Sequence, residues 1–135
     1  MEWNDTMHRV LLADRDQDLL DMYREFLLRD GFDVVTATDG LDCVAKMRSF
    51  LPEVLVLEPE LPWGWGEGVL AQMYEDPAVP LIPVMVLTGR EHPEGRYGVG
   101  IFPVSSYHVK PLAPNRLAQS LRRLLRRDFT TGEVQ

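Results

Sequence analysis

Apolar positions along the chain follow two periods in alternation, and that alternation predicts the architecture. "HRVLLA", residues 8–13, is a compact apolar run of the kind a buried strand requires. "DRDQDLLDMYREFLLRDG" then changes to helical spacing through Leu19, Leu20, Tyr23, Phe26 and Leu27 and closes at Gly31. Acids near its start and Arg29 near its end suit the helix macrodipole. The unit repeats: "FDVVTA" reads as a strand, Asp39 as an N-cap, and Leu41, Val44, Ala45 and Phe50 as a helical stripe ended by Pro52.

"EVLVL" is the third strand, followed by a Trp- and Gly-rich loop and a helix around Gly68 to Glu75. "PVMVLT" is the fourth strand, and a short fifth lies near "PVSSYHV". A last helix is expected from about Pro114, which suits position N1, to Arg127, with Leu117, Leu121, Leu124 and Leu125 facing inward. Strands alternating with helices imply an α/β fold: one doubly wound, five-stranded parallel sheet covered on both faces, flavodoxin-like in order. Between Thr88 and Val104, Pro93, Gly95, Gly98 and Gly100 oppose a helix, each glycine by about 1 kcal/mol. The fourth helix is therefore expected to be weak, distorted or mobile. Residues 1–7 and 128–135 read as tails around a single domain at 8–127, without internal repeat or linker.

Composition narrows the class. At 135 residues, 45% hydrophobic and 26% charged, the chain suits one globular domain with a substantial core. Fourteen basic against 21 acidic residues give a net charge of -7, which disfavours direct binding to nucleic acid or to an anionic membrane. No run is long and apolar enough to span a bilayer, and a cytoplasmic location is expected. Cys43 is the single cysteine, so neither an intrachain disulfide nor a thiolate metal cluster can form, and a small buried helical residue is its expected role. His8, His92 and His108 share no metal-ligand spacing.

Chemistry gathers where the strands end, the usual place for sites in open α/β sheets. The first strand delivers Asp14, Arg15 and Asp16, the third Glu58, the fourth Thr88, and the fifth Lys110 before Pro111. With Asp14 after "VLLA", the "PEVLVLEPELP" stretch, Gly66 in the next loop, Thr88 after "VMVL", and "YHVKP" with Tyr107 three residues before Lys110, the chain resembles the receiver domain of two-component response regulators over about residues 8–127. The resemblance implies an acidic pair and a central aspartate that hold Mg²⁺, with the aspartate taking phosphate from a histidine kinase. The Thr and Lys positions contact the phosphoryl group, and a rotating aromatic reports it to an output face. Asp14, Thr88, Lys110 and Tyr107 match these positions. Arg15 stands in place of the second acid, and Glu58 in place of the phosphoacceptor aspartate.

Both departures act in one direction. A guanidinium in place of an acid removes an oxygen ligand and adds positive charge, so Mg²⁺ binding is expected to be weak or absent, with Asp14 and Glu58 the remaining candidate ligands. The extra methylene of Glu58 displaces the attacking oxygen, and a shift of ~1 Å can lower a rate ~10²-fold. Glu58 is expected within range of Lys110, Thr88 or Arg15. An Arg15–Glu58 pair at about 4 Å would attract by roughly 4 kcal/mol before desolvation, with Arg15 replacing the metal.

The chain is thus expected to be a degenerate receiver: a non-enzymatic signalling module that binds a protein partner, its site fixed by Glu58 in either an active-like or a resting state. The alternative is a working phosphoacceptor with a histidine kinase upstream. A flavodoxin-like cofactor enzyme is a third reading, opposed by the carboxylates of "ADRDQD", which repel phosphate. Trp63 and Trp65 are candidate partner contacts, with packing on their own helix as the rival reading. Tyr107, Arg122 and Arg126 are further candidates, the arginines within a basic strip that also includes Arg116, Arg123 and Arg127. A homodimer is left open.

Overall fold

The apolar runs become strands because consecutive side chains point to opposite faces, and here both faces are covered. The computed structural model describes residues 7–89 and 102–134, with side chains as far as Arg126. Its elements are β1 (Arg9–Ala13), α1 (Gln17–Arg29), β2 (Asp33–Ala37), α2 (Gly40–Phe50), β3 (Val54–Leu57), α3 (Trp65–Glu75), β4 (Val84–Thr88), β5 (Ser106–Val109) and α4 (Pro114–Val134). The strands form one parallel sheet in the order β2-β1-β3-β4-β5. The expected five-stranded parallel architecture is present.

Alternation along each strand divides the core in two. Val10, Leu12, Val54, Val56, Met85 and Leu87 meet Leu20, Tyr23 and Leu27 of α1 and Leu117, Leu121 and Leu124 of α4. Leu11, Ala13, Leu55, Leu57, Val84 and Val86 meet Cys43 and Met47 of α2 and Val69, Leu70 and Met73 of α3. Asp16 caps α1 by accepting from the Leu19 amide at 3.2 Å, and Asp39 caps α2 by accepting from Asp42 at 2.8 Å.

Three expectations change. The stripe of α2 is rotated: Gly40, Cys43 and Met47 are its buried residues, and Leu41 is 67% exposed. The reason is the close seat of Gly40, whose amide donates to the Pro62 carbonyl at 2.7 Å and whose face lies against the Trp63 carbonyl. α3 begins at Trp65, three residues before Gly68, because the Trp65 and Gly66 amides donate to Leu61 and Pro59 and start the turn early. α4 continues to Val134, so the tail expected at 128–135 is helical as far as that residue; "DFTTGEV" contains no proline to stop propagation, and one glycine costs only about 1 kcal/mol. The interval expected to hold a weak helix falls largely on residues 90–101, which lie outside the described residues, as do residues 1–6 of the N-terminal tail.

Two glycines separate close packing from open space. A Cβ at Gly40 would lie 2.1 Å from the Trp63 carbonyl oxygen, a backbone atom that cannot turn aside, whereas one at Gly68, inside α3, would meet nothing within 4 Å. Urea unfolding of Gly40→Ala is expected to show a loss of about 2 kcal/mol or more from overpacking. Gly68→Ala is expected to gain about 0.5–1 kcal/mol, because alanine loses less backbone entropy in a helix. Equal effects at the two positions would contradict this packing.

Candidate functional site

Each site residue sits one step beyond, or at the last position of, a strand, and the ladder itself places it. The amide of Asp14 donates to Ala37 of β2 at 3.0 Å, that of Glu58 to Ala13 of β1 at 3.0 Å, and that of Lys110 to Thr88 of β4 at 2.8 Å. Because β1, β3, β4 and β5 are consecutive neighbours, Asp14, Glu58, Thr88 and Lys110 line up along one edge. They share a cavity of about 320 Å³ with Arg15, Asp16, Glu60 and Gly89.

Lys110 closes this edge. Its ammonium donates to Asp14 Oδ2 at 2.6 Å and to Glu58 Oε1 at 2.9 Å. β5 lies two strand spacings, about 9–10 Å, from β3, a gap that a long lysine stem can bridge. The other oxygens are also engaged: Asp14 Oδ1 accepts from the Asp16 amide at 2.9 Å, and Glu58 Oε2 from the Glu60 amide at 2.9 Å. Both acids are almost fully buried, at 5% and 6% exposure, and all four of their oxygens accept from the chain. Burial alone would lower the pKa of Lys110, but the two carboxylates outweigh it and hold the ammonium above its ordinary value.

Arg15 does not make the pair expected of it. It is exposed at the cavity wall, and among the described residues Glu58 pairs with Lys110. The expectation that Glu58 lies within range of Lys110 agrees with the geometry, whereas Arg15 as a replacement cation does not. An ion pair between Arg15 and the buried Glu58 would require desolvating a guanidinium that solvent already accommodates. Asp16 is turned to capping α1. Among the described residues, no group of three or more His, Cys, Asp or Glu is arranged to hold a metal ion.

Tyr107, on β5, packs half-buried against the α2–α3 side of the core. Arg122 is engaged within the chain, donating to Asp30 Oδ2 and to the Asp30 carbonyl, each at 2.7 Å, and stacking 4.7 Å over Phe32. These contacts tie α4 to the end of α1. Arg126 is exposed beside a cavity with His8. Trp63 and Trp65 are 70% and 46% exposed. Sequence reasoning missed Glu60 and Gly89 in the cavity, and also the Tyr23 hydroxyl, which donates to the Leu112 carbonyl at 2.6 Å and fixes the segment after Lys110. The alternation "EPE" signals Glu60 only once Glu58 is known to face inward.

A family model described as the response regulator receiver domain matches residues 10–122. The chain belongs to this family. The receiver is 32% identical over 122 residues to the probable transcriptional regulatory protein TcrX of Mycobacterium tuberculosis, covering 90% of this chain and 51% of that protein. It is 34% identical over 119 residues to the transcriptional regulatory protein TrcR of the same organism, covering 88% and 46%. The chain thus spans about half the length of these curated relatives. In fold, the receiver resembles the signal receiver domain of a putative Luxo repressor protein from Vibrio parahaemolyticus, with a TM-score of 0.81 and 22% identity over 96% of this chain and 98% of that one. No helix among the described residues is long and apolar enough to cross a membrane.

Removing the bridging cation tests the site's electrostatics. Lys110→Met keeps the apolar stem but leaves two buried carboxylates without their counter-ion, and is expected to lose about 3 kcal/mol in urea unfolding. Since the folded-state pKa of Lys110 is raised, its contribution is complete below the ordinary lysine value, about 10.4, and is lost as pH rises through the raised one. The stability gap between wild type and variant should therefore be flat from neutral pH upward and narrow only in strong alkali. A gap absent at neutral pH would contradict the bridge.

Proposed function

We infer that this receiver domain works in signal transduction as a pseudo-receiver: it presents a fixed surface to a protein partner and does not take phosphate. The observation that carries this reading is the double hydrogen bond from Lys110 to Asp14 and Glu58. The two hydrogen bonds to Oε1 and Oε2 hold the Glu58 carboxylate in one orientation, and its extra methylene would set the attacking oxygen away from the place an aspartate's oxygen takes.

The residues also do not fit Mg²⁺. An octahedral ion needs several oxygens at about 2.0–2.1 Å. The space between Asp14 and Glu58 holds an ammonium group, Asp16 Oδ1 caps α1, and Arg15 brings positive charge to the wall. On this reading Lys110, and not a metal, neutralises the acids, and no chemical step depends on a divalent ion. The domain's role is then binding and not catalysis. Its partner is another signalling protein, with a histidine kinase or an effector domain as the classes this family suggests.

Intact mass after incubation with a small phosphodonor and Mg²⁺ tests this, with Arg15→Asp combined with Glu58→Asp as the restored control. The expected result is no phosphoryl adduct on the native chain and an adduct on the control. A stoichiometric, base-labile adduct on the native chain would overturn the reading and make this a working receiver with unusual chemistry, its kinase then the partner to seek.

A further inference from the structure

Tyr23 sits where a purely apolar residue would serve the core equally well. It lies on the inward stripe of α1 with Leu20 and Leu27, is 2% exposed, and belongs to the same core cluster as Leu12 and Val56. What a tyrosine adds there is a hydroxyl, and a buried hydroxyl must find an acceptor. This one donates at 2.6 Å to the carbonyl of Leu112, 89 residues further along the chain.

The bond falls where Lys110 needs support. The Lys110 amide donates to the Thr88 carbonyl at 2.8 Å, which holds the residue on its strand side. Pro111 has no N–H with which to add a second hold, and the Tyr23 hydroxyl supplies one at Leu112. From a backbone gripped on both sides, the lysine reaches past β4 to Glu58 and Asp14. The Tyr23 ring borders both halves of this arrangement: a small space shared with Asp14 and Glu58 on one side, and an open groove with Lys110, Pro111 and Leu112 on the other. Burial above all pushes the phenol's pKa up, while the Lys110 ammonium pulls it down and Asp14 adds to the rise. The phenol is therefore a neutral donor at neutral pH, close enough to both charges to feel them.

We propose that Tyr23 is the positioning residue of this site: its hydroxyl, anchored on Leu112, holds the turn after β5 so that the Lys110 ammonium stays between the two buried carboxylates. A lysine stem has four rotatable bonds and much rotamer freedom, so its grip on two acids at once depends on a root that does not move. In this arrangement α1 acts on the sheet edge through the backbone of residues 110–112, without touching either acid through a hydrogen bond of its own. The inference rests on the Lys110 bridge and not on whether Glu58 takes phosphate.

Lys46 and Lys110 are the two lysines of the chain, so heteronuclear NMR of the side-chain ammonium groups in the full chain, at about pH 6, reads the bridge with an internal reference. Lys46, which pairs with Asp42 at 2.9 Å on another face, is that reference. The expected wild-type result is slow exchange of the Lys110 ammonium protons with water. Tyr23→Phe keeps the ring and removes only the hydroxyl; it should speed that exchange roughly three- to tenfold, the range that one lost hydrogen bond allows, and leave Lys46 unchanged. Leu124→Ala weakens the same core cluster without removing the Leu112 bond, and should leave both lysines unchanged. Unaltered Lys110 exchange in Tyr23→Phe, with the chain folded by circular dichroism, would overturn the proposal. So would equal acceleration in Leu124→Ala, since lost stability and not lost positioning would then free the lysine. A Lys110 ammonium that exchanges freely in the wild type would overturn the bridge itself, an outcome distinct from either of these.

Discussion

The carboxyl edge of the sheet depends on one ammonium group. Asp14 and Glu58 end neighbouring strands and lie almost fully buried, so without a cation between them two like charges would face each other in a medium that screens poorly. Lys110 is delivered by the far strand β5 and reaches both. That reach couples elements distant in the sequence: β1, β3 and β5 share a charge balance as well as a ladder. The Tyr23 hydroxyl, bonded to the Leu112 carbonyl just beyond the lysine, adds α1 to the same assembly.

The two acids are held alike despite their different lengths. Each accepts from the amide two residues further on, Asp14 from Asp16 and Glu58 from Glu60, and gives its second oxygen to Lys110. For an aspartate this is the familiar local turn of a short acid onto its own backbone. Glutamate has one more methylene, and it reaches the same arrangement only because the β3–α3 loop brings the Glu60 amide to it. That loop is fixed from outside by α2, through Gly40 and Pro62. The same close contact that anchors the loop also turns Leu41 outward and rotates α2 relative to its simplest apolar stripe.

Much of this was legible in the residues. Strand runs such as "VLLA" and "VLVL" are apolar at every position because both faces of a parallel sheet are covered, and this fixes their ends to within a residue. The meeting of Asp14, Glu58, Thr88 and Lys110 follows from parallel strands alone. Which cation pairs with Glu58 did not follow. Arg15 is nearer in sequence to Asp14, but the residue after a strand's first acid turns toward solvent, while Lys110 extends back over the sheet. Nor could spacing show that Leu41 is exposed, since that depends on a backbone contact between α2 and a loop more than twenty residues later. Nor could spacing show that the exposed Arg122 pairs with Asp30 and lies over Phe32, about ninety residues away in sequence.

A switch needs two arrangements of similar free energy and an input that favours one of them. In a receiver that takes phosphate, a new dianionic group supplies the input, and a lysine near it has something to turn toward. In this chain the lysine already holds two carboxylates. On the reading proposed above, the difference between a responsive and a fixed domain rests on one methylene at position 58 and one cation at position 15. The remainder of the fold, including Thr88 and Tyr107, can stay as the family builds it, because those residues also pack: Thr88 is buried at the end of β4, and Tyr107 covers the α2–α3 side of the core. Keeping them preserves the packing at the end of β4 and on the α2–α3 side of the sheet.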